Sequence, residues 1–194
     1  MKNENGIAFN ENHSNIFDPH AVGILNASRI YFIMKGWYNH LYVILLIISN
    51  AVAILQLIAA IKRPRIARVS FFLLFGWACW INWKTLLQTP EVYLEYADLA
   101  WSGWYTNFIN GWFAFHIKLS VGFIAICQGI IAVLILLKGW LFKVGCIAGI
   151  IFLVSILPLG VGAGFPSTAI MASSLLILLS RNADWFIWNN PKIQ

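Results

Sequence analysis

Between residues 41 and 180 the apolar positions neither alternate nor fall on a single helical stripe. They fill whole runs, and short polar clusters interrupt them. A helix that is apolar on every side needs apolar surroundings on every side. A run of about 20 such residues, rising about 1.5 Å per residue, crosses about 30 Å of hydrocarbon. The pattern predicts spans near 41–61, 69–87, 112–137, 144–157 and 166–180. The expected fold is therefore an all-α polytopic integral membrane protein, a compact five-helix transmembrane bundle with short interfacial helices. The fifth run is short for a full span. Residues 158–166 before it read either as an outer turn or as a break re-entering the membrane, which would leave four full spans.

Polar punctuation divides the rest. Residues 1–36 form an N-terminal arm, with a surface helix expected from the Asp18 cap and Pro19 to a stop at Gly36. Residues 37–188 are the membrane domain and 189–194 a short tail. In "TPEVYLEYADLAWSG", Thr89 is placed to cap, Pro90 fits a first turn and Gly103 a stop. Helical spacing puts Glu91, Glu95 and Asp98 on one face as an acidic patch, and Val92, Tyr96 and Leu99 on another. "WSGWYTNFINGW" follows as an aromatic, amide-rich loop.

Composition agrees with a bilayer. The chain is 60% hydrophobic and 10% charged, against about 25% charged in soluble domains, and its mean hydropathy is +0.76. Ten tryptophans suit two interfacial belts. The net charge of +6 collects at segment ends: "KRPRIAR" over 62–68, Lys138 and Lys143, then Arg181. Membrane orientation explains these cations without a nucleic-acid partner. They predict a multi-pass protein of the bacterial cytoplasmic membrane, with the N-terminus outside and the C-terminus in the cytoplasm.

Candidate chemistry is sparse. His116 and Lys118 open the third span, where a charge marks a ligand, a partner or a snorkelling side chain. With Lys84, Trp80, Trp83 and Trp112 they form the expected lipid or partner contact. His40 and His116 lack the pairing that haem needs. Cys79, Cys127 and Cys146 lack C-x-x-C spacing, so no metal and no cofactor are expected, although a lipid or quinone fits the same place. Gly160, Gly162 and Gly164 between Pro158 and Pro166 lack the strand and the G-x-G-x-x-G spacing of a dinucleotide site, and also the lysine of a phosphate loop. They read as a structural turn. The leading expectation is a non-enzymatic membrane subunit that packs against partner membrane proteins, or copies of itself, through its helices and outer aromatic loop. The alternatives are a lipid- or quinone-interacting protein, including an enzyme with an outer pocket, and a small-solute transporter component using Asn50, Gln56 and Gln128 in a common cavity.

Overall fold

The computed structural model describes residues 40–181, with side chains from Val43 onward. The expected surface helix over 19–36, the tail over 189–194 and the side chain of His40 lie outside that part. Among the described residues every regular element is helical. Helix α1 is His40–Lys62 and α2 is Pro64–Gln88. A 3₁₀ turn, Pro90–Glu95, leads into the short helices α3, Tyr96–Leu99, and α4, Gly103–Phe108. A π-helical turn, Ile109–Phe113, precedes α5, Ile117–Leu136. Helix α6, Gly139–Ile156, a 3₁₀ segment, Leu157–Ala163, and α7, Ser167–Ser180, complete the order.

Four stretches are long and apolar enough to cross a membrane: Val43–Lys62, Pro64–Gln88, Ile117–Leu136 and Gly139–Ala163. Helix α7 has 14 residues, about 21 Å of rise, less than the hydrocarbon thickness. Three helix starts differ from the sequence expectation. Helix α2 starts at Pro64, five residues before 69, because proline suits a first helical turn and forces Arg63 out of helical geometry (φ −141°, ψ 70°). Helix α5 starts at Ile117 and not at Trp112, because Gly111 (φ −99°, ψ −108°) and His116 (φ −120°, ψ 27°) break the helical path. Helix α6 starts at Gly139 and not at 144, directly after the extended residues Leu137 (φ −75°, ψ 179°) and Lys138 (φ −111°, ψ 169°).

The five long helices close on themselves in the order α1, α2, α5, α6, α7 and back to α1. One end of this ring carries Glu91, Glu95 and Asp98 and is the acidic end. The other carries the α1–α2 and α5–α6 turns, with Lys62, Arg63, Arg65 and Lys138, and is the basic end. The interior joins Phe71 and Phe75 of α2, Ile131 and Ile135 of α5, Phe142 and Leu153 of α6, and Leu175 and Leu178 of α7. Much of the remaining interior is small: Ala53, Ala60, Ala67, Ala125, Ala132, Gly145 and Gly149 are all buried. Large apolar side chains such as Leu55, Leu73, Phe123 and Ile151 point outward instead, an amount of apolar exterior that soluble monomers rarely carry.

Small residues at the seams let backbones approach closely. A Cβ added at Gly145 would lie 2.8 Å from Leu134 Cβ and 3.0 Å from the backbone nitrogen of Ile135, whereas one at Gly76 would meet nothing within 4 Å. Gly145→Ala is accordingly expected to cost about 1–3 kcal/mol. Gly76→Ala should be neutral or slightly stabilising, since alanine favours the helix. Thermal unfolding of the purified variants checks this, and equal stability of the two would refute the seam.

Candidate interaction surface at the acidic end

The acidic end is closed by aromatic side chains seated on glycines. The chain leaves α3 at Ala100 (φ −69°, ψ 134°), and the Trp101 N–H then bonds Pro158 O at 2.9 Å. The predicted helix stop at Gly103 is thus displaced: the turn comes three residues earlier, and Gly103 starts α4. Thr89 likewise makes no side-chain capping bond. Trp101 lies so close over Gly160 that a Cβ there would come within 2.8 Å of its Cε2, and Tyr96 holds Gly162 in the same way at 2.7 Å. Gly160 has φ +61° and Gly164 φ +75°, the left-handed region that glycine enters without strain. Phe165 packs edge-on against Trp101 at 4.6 Å, and the Tyr105 hydroxyl donates to Ser155 O. Residues 158–164 therefore form a seat for the cap, with the left-handed φ values that turn the chain.

A polar bridge ties the cap to the bundle. The Tyr93 hydroxyl donates to Asn82 Oδ1 at 2.5 Å, and Asn82 Nδ2 donates to Gln128 Oε1 at 2.6 Å. Gln128 is buried, so an unpaired amide would be costly there. Asn50 instead bonds its own helix at Leu46 O, and Gln56 Nε2 donates to Ser70 Oγ. The amides proposed for a common cavity thus make three separate contacts.

A different set of rings is left facing outward. Trp104 stacks on Phe108 (5.6 Å, 4°), Phe108 on Trp112 (5.8 Å, 21°), and Trp112 on His116 (4.7 Å, 20°). These residues recur every fourth position across α4, the π turn and the break before α5. Trp104 is 67% exposed and Trp112 53%. His116 Nδ1 lies 2.9 Å from Trp112 O, a bond that places the proton on Nδ1 and holds the ring parallel to the indole. Glu91, Glu95 and Asp98 are exposed on the neighbouring 3₁₀ turn and α3.

Lys84 belongs to another flank. Its ammonium lies 5.6 Å from the centre of the Trp80 ring, and Trp80 packs on Trp77 at 5.0 Å. Trp83 is partly exposed beside them. The Asn82–Gln128 bond and the Leu86–Gly122 approach set an antiparallel register between α2 and α5. That register puts Lys84 level with residues near 125, about two helical turns from Lys118. Trp112 and His116 therefore share one surface, while Lys84, Trp80 and Trp83 share a second. Lys118 is exposed on the first turn of α5. Among the described residues no group of three or more His, Cys, Asp or Glu is placed to hold a metal ion.

At the basic end one cation departs from the expected role. Arg68, grouped by sequence with the surface charges of "KRPRIAR", is fully buried. Its Nε donates to Ile135 O at 2.8 Å, an Nη donates to Leu137 O, and its guanidinium lies 4.4 Å over the Phe142 ring. It occupies the carbonyl end of α5, where a helix leaves acceptors unpaired and carries partial negative charge. Sequence offered one faint signal: Arg68 is one turn beyond Pro64 and so already inside a proline-started helix.

Compared with protein-family models, curated proteins and solved structures, the chain matches none.

Two outcomes are expected. Arg68→Leu leaves the carbonyls of Ile135 and Leu137 without their donor and should cost about 2–3 kcal/mol, measured by thermal or denaturant unfolding; a change below about 0.5 kcal/mol would show the contacts to be incidental. Burial raises the Tyr93 phenol above its usual 10.0, and the hydrogen bond with Thr85 only partly offsets this. The unfolded chain thus loses that proton first, so the phenol's contribution is complete below pH 10 and is lost as pH climbs through the folded value. Stability should fall above pH 10 more steeply in the wild type than in Tyr93→Phe, and parallel pH profiles would contradict this.

Proposed function

We propose that the chain is a non-enzymatic integral membrane subunit that packs against a partner membrane protein, or a second copy of itself, through its helices and its outer aromatic surface. In this reading all five long helices lie in the membrane. The basic end is cytoplasmic and the acidic end outside, as the distribution of lysine and arginine favours.

The observation that carries the reading is the exposed ladder of Trp104, Phe108, Trp112 and His116. Trp101, Tyr96, Tyr105 and Phe165 already close the bundle, so the ladder is additional to what the cap uses. Its rings are held parallel by one another, and aromatic side chains with few rotatable bonds lose little freedom on docking. Exposed tryptophans held in this way are the residue type that anchors interfaces. The carboxylates alongside favour a partner presenting basic side chains. The second flank, Lys84 over Trp80, favours lipid contact by the same chain.

Extraction in mild detergent followed by native mass measurement tests the proposal. The expected species exceeds the 21.9 kDa protomer by a partner or by whole protomers. Trp104→Ala combined with Trp112→Ala should reduce it by roughly tenfold or more, with unfolding temperature unchanged. A membrane-impermeant photo-crosslinker at position 104 on intact cells should capture the same species. A bare protomer with lipid alone, or crosslinking only from the cytoplasmic side, would sink the reading.

A further inference from the structure

The basic end contains a cluster that membrane orientation does not require in this form. Helix α1 ends at Lys62, and Pro64 starts α2 immediately, so Lys62 and Arg63 project from a one-residue elbow. Both side chains are exposed. Arg181, at the end of α7, is brought to the same place: its Nη1 donates to Ile61 O, a carbonyl of the last turn of α1. That bond uses one of the five guanidinium donors and leaves the rest of the fork directed by a fixed anchor. All described carboxylates, Glu91, Glu95 and Asp98, sit at the opposite end, so none of the described acids neutralises the elbow.

The surface beside these cations is apolar. Ile58 and Ile61 of α1 and Leu176 of α7 are exposed large side chains. A purely ionic ligand would gain nothing from them, and a nucleic acid would need a polar track beyond the cations. A molecule with a negatively charged head and hydrocarbon tails matches both parts. Arginine forks pair with phosphate through two parallel hydrogen bonds, and lysine adds a point charge.

We propose that Lys62, Arg63 and Arg181 form a headgroup site for an anionic phospholipid, whose phosphodiester they hold while its acyl chains lie on Ile58, Ile61 and Leu176. This rests on the reading that the helices span a membrane. It does not depend on the aromatic ladder, which is at the other end. The site joins the ends of α1 and α7, so occupancy ties the shortest helix of the ring to the first.

The test uses the full chain, stripped of lipid in detergent and then given phosphatidylglycerol, phosphatidylcholine or inorganic phosphate. Phosphatidylglycerol is expected to raise the unfolding temperature more than phosphatidylcholine does, and inorganic phosphate to leave it unchanged. Lys62→Gln with Arg63→Gln preserves the Arg181 anchor and should weaken the phosphatidylglycerol preference by about fivefold per cation removed. As a control, Lys62→Arg with Arg63→Lys keeps both charges at the elbow and should retain the preference. An undiminished preference in the glutamine variant, an equal loss in the control, or the same stabilisation by inorganic phosphate would each overturn the proposal. Flotation with vesicles separates the two levels: a chain that floats but does not discriminate between the lipids refutes the headgroup site alone. A chain that does not float refutes the spanning reading and the site together.

Discussion

A polar group removed from water must find its partner within the chain. This requirement shapes the α2–α5 seam and the basic end of the bundle. The hydroxyls of half-buried Ser49 and buried Ser174 bond back to carbonyls three and four residues earlier. Asn82 and Gln128 satisfy each other across α2 and α5. Arg68 meets the same requirement from the other direction, supplying donors where α5 runs out of them. Gln56 Oε1 and Thr168 Oγ1 are the buried side-chain atoms for which the described residues provide no partner.

The two ends solve different problems. At the basic end a guanidinium occupies the carbonyl end of α5, and another, from Arg181, reaches the last turn of α1, so charge itself performs the capping. At the acidic end the chain between α2 and α5 is long enough to fold over the bundle, and aromatic rings perform the closure. Those rings need close backbone approach, and Gly160 and Gly162 provide it because any side chain there would collide with Trp101 or Tyr96. Trp101 remains 45% exposed in this closure, so the two sets of rings differ by what they pack on: the cap rings on glycines, the ladder rings on one another.

Several elements were legible along the chain. The apolar runs located the long helices because a uniformly apolar run of that length has few alternatives to a buried or membrane helix. Pro90 marked a start through local stereochemistry, whereas the start at Pro64 was placed five residues too late. The candidate site was less legible. Trp112 and His116 belong to one stack, but Lys84, Trp80 and Trp83 lie on another flank, because the antiparallel register of α2 and α5 separates residues that looked equivalent near segment ends. The role of Arg68 was hidden as well, since a cation beside a proline turn looks like any surface cation until the neighbouring helix end is placed.

Composition and run length, which depend only on local chemistry, were enough to determine an all-helical chain with several segments suited to a membrane and its cations gathered at segment ends. Tertiary structure decided which tryptophan packs on a glycine and which stack on one another, what each amide bonds, and whether a glycine is a turn or a seat. Those outcomes depend on helix register and on contacts between residues distant in sequence, such as Arg68 with Leu137 or Trp101 with Gly160, and no local pattern encodes such a meeting.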